Sequence, residues 1–166
     1  MTELAPLHPT DAAILKVLEK DARVSFNDLA EKVGLSKTPS WARVRELERR
    51  KVITGYRAQI DPARVGLELH AFVQVTITAT RHADFESAVL RHKSVLECYT
   101  TAGQADYLLH ILVPGIAALD ELLRSEVSRM PGVQRLTTTV GMKTIKHGGS
   151  IMECAGILLK RPAASP

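Results

Sequence analysis

The chain is short of the groups that build metal sites, disulfide frameworks and the common catalytic centres. Its two cysteines, Cys98 and Cys154, have neither C-x-x-C spacing nor nearby histidines. That argues against a structural zinc or a disulfide scaffold and for reduced, packed thiols. The six histidines (8, 70, 82, 92, 110 and 147) show no metal-ligand spacing, and His70 and His110 read as surface or packed residues of strands. There is no glycine-rich phosphate loop, and no nucleophile motif stands beside a recognisable base, so neither a cofactor nor catalysis is expected. Long uncharged apolar runs are also missing, and no basic stretch leads into an apolar core at the N-terminus. A membrane span and a signal peptide are therefore not expected, and the protein is expected in the cytoplasm.

What is present suits a globular protein of 166 residues, 45% hydrophobic and 24% charged, long enough for one ordinary domain or two small ones. The net charge of +4 is unevenly placed. Residues 36–57 hold seven basic side chains (Lys37, Arg43, Arg45, Arg49, Arg50, Lys51, Arg57) against Glu46 and Glu48, a local charge of +5 that leaves −1 for the rest. A concentrated positive patch points to a polyanionic partner, although a basic helix is also compatible with a plain solvated face.

Ile14, Leu15 and Leu18 recur at helical spacing after Pro9, Thr10 and Asp11, and that pattern ends near Lys20. Ser25 and Asp28 form an S-x-x-D capping box flanked by Val24 and Leu29, which predicts a second helix reaching about Val33. Gly34 then stands where a helix end needs a left-handed residue. Ser36 or Thr38 can cap a third helix whose first turn admits Pro39. Two helices joined by a tight glycine turn make a helix-turn-helix. On the third helix, Ser40, Val44 and Leu47 share the inward side, while Thr38, Trp41, Ala42, Arg45 and Arg49 share the other. The outward set suits a major groove: arginine pairs with guanine, Ser36 and Thr38 bond phosphates or base edges, and Trp41 packs on sugars or thymine methyls. Lys37, Arg43, Arg50 and Lys51 are assigned to phosphates or to pairing with Glu46 and Glu48. A modest rotation of the helix would instead make Trp41 core. Residues 52–60 read as a hairpin-like wing, and 61–68 as a linker.

These residues resemble a known family. Gly34-Leu35-Ser36-Lys37-Thr38-Pro39, Arg43-Val44-Arg45-Glu46-Leu47-Glu48 and Val52-Ile53-Thr54-Gly55-Tyr56 are similar to the Lrp/AsnC (leucine-responsive, feast/famine) regulators. So are Phe72-Val73, Glu97-Cys98, Gly103-x-x-Asp106-Tyr107-Leu108-Leu109 and Pro131-Gly132-Val133, in the same order. The likeness runs from about residue 7 to 150. It implies a regulator of amino-acid metabolism that dimerises, assembles into octamers and binds amino acids between subunits of its C-terminal domain. One departure stands out: Gln104 and Ala105 follow Gly103 where the family pattern is Gly-Asp-x-Asp-Tyr.

Residues 69–79 alternate with Leu69, Ala71, Val73, Val75, Ile77 and Ala79 on one face, as in a half-buried strand. Phe85, Ala88 and Val89 mark a helix, 95–101 and 107–113 two strands, Ile116 to Met130 a second helix, and Leu136, Thr138, Val140 and Met142 a fourth strand. The order β-α-β-β-α-β predicts a ferredoxin-like domain over 69–150, joined to a winged helix-turn-helix over 1–60, an α+β architecture overall. The sheet face without helices carries Thr, Tyr, Phe and aliphatic residues, which suits a second copy in a symmetric dimer. The turn at 101–107 is the candidate effector site. Gly103 admits close approach, Gln104 donates and accepts, Asp106 can take an ammonium group and Tyr107 closes the motif. Thr137, Thr138 and Thr139 supply hydroxyls for a carboxylate, from a neighbouring subunit on the family pattern. A Gly-x-x-Asp turn in a hairpin is more often structural, with the aspartate capping its own backbone. Residues 151–166 are read as a C-terminal strand (151–159) and a disordered tail (161–166). Two other functions remain open: an enzyme, for which the catalytic signals are thin, and an architectural protein that wraps DNA without an effector.

Overall fold

Pro9 has no amide hydrogen to leave unpaired, which suits a first helical turn, and helix α1 runs Pro9–Lys20. The computed structural model describes residues 7–159. They form two compact units, one of residues up to Gln59 together with those from Lys146 onward, the other Ile60–Ile145.

In the first unit, α2 (Phe26–Val33) starts at Ser25, whose hydroxyl accepts from the Asp28 amide at 3.1 Å and donates to the Asp28 carboxylate at 2.8 Å. Gly34 (φ +67°) reverses the chain, and the Leu35 amide closes onto the Ala30 carbonyl at 2.9 Å. Only a residue without a Cβ enters this left-handed region freely. Helix α3 (Lys37–Arg49) follows with Ser36 at its N-cap position, although the Ser36 hydroxyl makes no capping bond. Ile14, Leu29, Val44 and Leu47 form the core, with Leu15, Leu18, Val24, Phe26 and Ile53 packed around it.

The segment after α3 departs from the expected hairpin. Residues 52–60 form no strand, and the amides of Val52 and Ile53 both donate to the Leu47 carbonyl. Those donors close the end of α3, so they are withdrawn from any hairpin ladder.

The strand expected over residues 151–159 is a helix, α6 (Ile151–Leu159). An apolar run without clear periodicity fits either state, and the cap decides. The Ser150 hydroxyl accepts from the Glu153 amide at 3.0 Å and donates to Glu19 of α1 at 2.6 Å. The Glu19 carboxylate also accepts from the amides of Ile151 and Met152. A carboxylate on the first amides of a helix satisfies donors that have no intrahelical partner. The tail expected over 161–166 lies outside the described residues. Cys154 is exposed on α6 rather than packed, while Cys98 is half-buried and both are free thiols.

The second unit begins with a 3-10 turn, Ala63–Val65, within the stretch read as a linker. It continues through β1 (Leu69–Ile77), α4 (His82–Arg91), β2 (Val95–Thr100), β3 (Tyr107–Val113), α5 (Ile116–Ser125) and β4 (Val133–Gly141). The sheet order is β2-β3-β1-β4, with every neighbouring pair antiparallel. Ala71, Val73, Val75 and Ile77 of β1 and Tyr107, Leu109, Ile111 and Val113 of β3 are buried together with Phe85 and Val89 of α4 and Leu119 and Leu122 of α5. The opposite parity faces away, and Phe72 on that side is 39% exposed.

The bonds that Glu19 accepts, first among them that of Ser150, hold its carboxyl below the ordinary carboxylate range. A depressed native pKa contributes stability that is present above the unfolded value and lost as pH falls through the native one. Amide exchange at Ile151 and Met152 should therefore accelerate below about pH 4, relative to amides of α1, and Glu19→Gln should show that acceleration already at neutral pH.

Candidate DNA interface and ligand site

Ser40, Val44 and Leu47 of α3 are buried, so the opposite side of this helix faces outward. Trp41 is 48% exposed, which rules out the core placement for it. The Arg45 guanidinium lies over the indole at 5.4 Å from the ring centroid, a cation–π distance. It also donates through Nη1 to Glu48 Oε2 at 3.2 Å, leaving Nε and Nη2 outside that pair. Arg49 differs, because its fork is closed on Glu46 by two bonds of 2.7 and 2.6 Å. That pairing lowers the Glu46 pKa and raises that of Arg49. Both side chains are solvent-exposed and the pair can open at little cost.

Arg43 stands apart from the outward set. Its Nη1 donates to Asp11 Oδ1 of α1 at 2.8 Å, and Asp11 is buried. It therefore ties α3 to α1, a partner that sequence patterning did not anticipate. Ser36, Lys37 and Thr38 are exposed at the start of α3, where unpaired amides favour an anion. Tyr56 was not among the expected site residues. Its hydroxyl donates to Glu48 Oε1 at 3.0 Å, and its own pKa is raised by burial and by that carboxylate.

In the second unit, the β2–β3 turn borders a depression of about 270 Å³ lined by Gln74, Thr101, Ala102, Gly103, Gln104, Ala105 and Leu108. Gly103 and Gln104 are there as expected, and Thr137 stands opposite Gln74 in the ladder. Four expected ligand residues, Asp106, Tyr107, Thr138 and Thr139, are placed elsewhere. The Asp106 carboxylate accepts from the Ile77 amide at 2.8 Å, and the Asp106 amide donates to the Val75 carbonyl at 3.0 Å, so this aspartate ties the turn to β1. Tyr107 is 1% exposed on the helix side of the sheet. It donates its one proton to Glu86 Oε1 at 2.7 Å and accepts from His82 Nδ1 at 2.8 Å. Burial and the Glu86 carboxylate raise its pKa well above the phenol range. Thr138 pairs with the buried Val73, whereas Thr137 and Thr139 pair with Gln74 and Phe72, so consecutive threonines point to opposite faces. Gln74 and Leu108, which the sequence reading missed, reach the depression from two strands brought together by register. On the same open face His70 Nδ1 and His110 Nε2 lie 3.0 Å apart, with Phe72 stacked on His110.

A winged helix-turn-helix DNA-binding domain matches residues 7–54, and an Lrp/AsnC ligand-binding domain matches residues 70–151. The chain belongs to the Lrp/AsnC family of transcriptional regulators. The proline dehydrogenase transcriptional activator of Rhodobacter capsulatus is 39% identical over 153 residues, covering 90% of this chain and 98% of that protein. The leucine-responsive regulatory protein of Escherichia coli K12 is 37% identical over 145 residues, covering 86% and 88%. Among solved structures, a transcriptional regulator of Neisseria meningitidis in complex with L-Met matches with a TM-score of 0.85 and 32% identity, over 88% of this chain and 96% of that one. The α+β architecture, a winged helix-turn-helix followed by a four-stranded antiparallel sheet with two helices, is that of this family's regulators. Among the described residues of this Lrp/AsnC regulator, no helix is long and apolar enough to cross a membrane.

Because Arg43 acts through Asp11, Asp11→Ala should lower unfolding stability by about 1 kcal/mol in urea denaturation. Because the same pair holds α3 in its orientation, the folded variant should also bind a DNA duplex more weakly in a direct titration.

Proposed function

We propose that this protein is a sequence-specific regulator of genes of amino-acid metabolism, which presents α3 of each subunit to the major groove and responds to a small effector, an amino acid. The observation that carries the DNA reading is the outward face of α3, where Trp41 and Arg45 stack above a buried Ser40-Val44-Leu47 stripe. Arg45, with donors remaining for a guanine edge, reads bases. Lys37, Ser36 and Thr38 at the helix start, and Arg49 once released from Glu46, contact phosphates and set the register. Arg43 contributes by fixing the angle of α3.

A second copy covers the open sheet face around Phe72, giving a symmetric dimer with two α3 helices for two half-sites about one helical turn apart. Dimers assemble further, to an octamer on the family pattern, in the cytoplasm and on the nucleoid. The effector sits at the depression beside Gly103 and Gln104, with Gln74 and Thr137 on the same face and a neighbouring subunit closing it. Asp106 and Tyr107 shape the turn from behind, and Thr139 lies further along the face. The L-Met complex of the Neisseria regulator supports an amino acid as the ligand class. Gln104 offers an uncharged donor and acceptor where the family pattern has a carboxylate, which favours an effector without an extra positive group. Binding shifts the equilibrium between assemblies and thereby the promoters occupied.

Arg45→Ala should weaken binding to a duplex selected by the wild-type chain by about 1–3 kcal/mol and relax preference at one position per half-site, with the mass of the oligomer unchanged. Unchanged binding assigns the reading face elsewhere, and equal binding to selected and random duplexes at fixed salt favours architectural wrapping. In thermal denaturation, at least one free amino acid should raise the midpoint of the wild-type chain, and Gln104→Ala should remove that shift without abolishing DNA binding.

A further inference from the structure

The pairing of Arg45 with Glu48 is, taken alone, an exposed contact three residues apart on a helix, a class that holds a side chain only weakly. Two further contacts change that. Glu48 is the less exposed partner, and its second oxygen accepts from the Tyr56 hydroxyl at 3.0 Å while the first accepts from Arg45 at 3.2 Å. The carboxylate is thus held between the end of α3 and the extended segment behind it. On the other side Arg45 rests on the Trp41 ring, so its guanidinium is confined between an indole face and a fixed acceptor. These four side chains line one cavity of about 340 Å³ in the first unit, floored by Leu18, Val24 and Leu29. An arginine that reaches a base from such a support loses less rotamer freedom on binding than a free one.

We propose that Glu48 and Tyr56 are positioning residues for DNA readout, holding Arg45 against Trp41 so that specific binding is favoured over contact with any phosphate. The inference rests on Arg45 being a base-reading residue. Glu48 contributes in a second way: an uncompensated carboxylate beside the backbone would repel DNA, and it is compensated only while Arg45 remains in place. An Arg45 that swings out to a random phosphate exposes Glu48 to the polyanion, whereas one that extends to a guanine through Nε and Nη2 keeps the Nη1 bond. Preference is thereby built into the pair and not into Arg45 alone.

The test uses the full-length chain, a duplex it selects from a randomised pool, and a scrambled duplex of equal length and composition, at one salt concentration. Tyr56→Phe, which removes only a hydroxyl, should lower affinity for the selected duplex about fivefold and leave the scrambled one unchanged. Glu48→Gln should raise affinity for the scrambled duplex and narrow the ratio by a similar factor. In an Arg45→Ala background Tyr56→Phe should have no further effect, because its action passes through Arg45. The single tryptophan gives an independent readout: emission of Trp41 in the free protein should change in Tyr56→Phe as it does in Arg45→Ala. A ratio within twofold of wild type in both Tyr56→Phe and Glu48→Gln overturns the proposal, as does a full Tyr56→Phe effect in the Arg45→Ala background. A wild-type chain that selects no duplex contradicts sequence-specific binding itself, while one that selects a duplex but loses no preference in Arg45→Ala contradicts the base-reading role.

Discussion

The orientation of α3 depends on three buried side chains, Val44 and Leu47, which pack with Ile14 of α1 and Leu29 of α2, and Ser40, whose hydroxyl donates to the Ser36 carbonyl. They occupy one narrow stripe, so a helix of thirteen residues has a single way to lie on its neighbours. Everything proposed for DNA follows from that rotation. Trp41 and Arg45 project outward only because Val44 projects inward, and the Arg43–Asp11 pair resists the rotation that would bury the indole. Gly34 sets the angle at which α3 leaves α2, by a left-handed turn that a side chain would strain. A mostly polar helix with a small apolar stripe gains little from burial, so directional contacts at its flanks carry more of the alignment.

The second unit obeys a different period. Strand residues alternate sides, and the helices α4 and α5 cover one side only. Tyr107, Leu109 and Ile111 therefore belong to the core, while Leu108 and His110 between them belong to the open face with Phe72 and Gln74. The same parity divides the run of three threonines. It also explains Asp106: one residue before the buried Tyr107, it lies at the edge of β1 and fixes the turn through the Ile77 amide. A turn held this firmly presents Gly103 and Gln104 in one position, which suits the effector site proposed there.

Much of this was readable from local signals. The Ser25 cap, the Gly34 turn and the first helix at Pro9–Lys20 depend on residues within a few positions of one another. The strand and helix order of the second unit follows from clean periodicity in 69–79 and 107–142. What escaped was non-local. Gln74 joins the depression beside Gly103 through pairing between β1 and β3, and Tyr107 turns to the core because its register partner is Val75. Arg43 finds Asp11 thirty-two positions away. The apolar segment after Ser150 is helical because Glu19, far back in the chain, accepts its first amides. Residues 52–60 miss the expected hairpin for a smaller reason, the capture of two amides by the Leu47 carbonyl.

The central claim is that the outward face of α3 reads base edges in the major groove. Methylation interference at guanine N7, on duplexes enriched from a random pool by the full-length protein, tests it most directly, because that atom lies in the major groove and accepts from arginine. The account predicts interference at guanines placed symmetrically in two half-sites about one helical turn apart, or a multiple of it. An enriched set with no interference at N7, or with interference confined to adenine N3 in the minor groove, would contradict it.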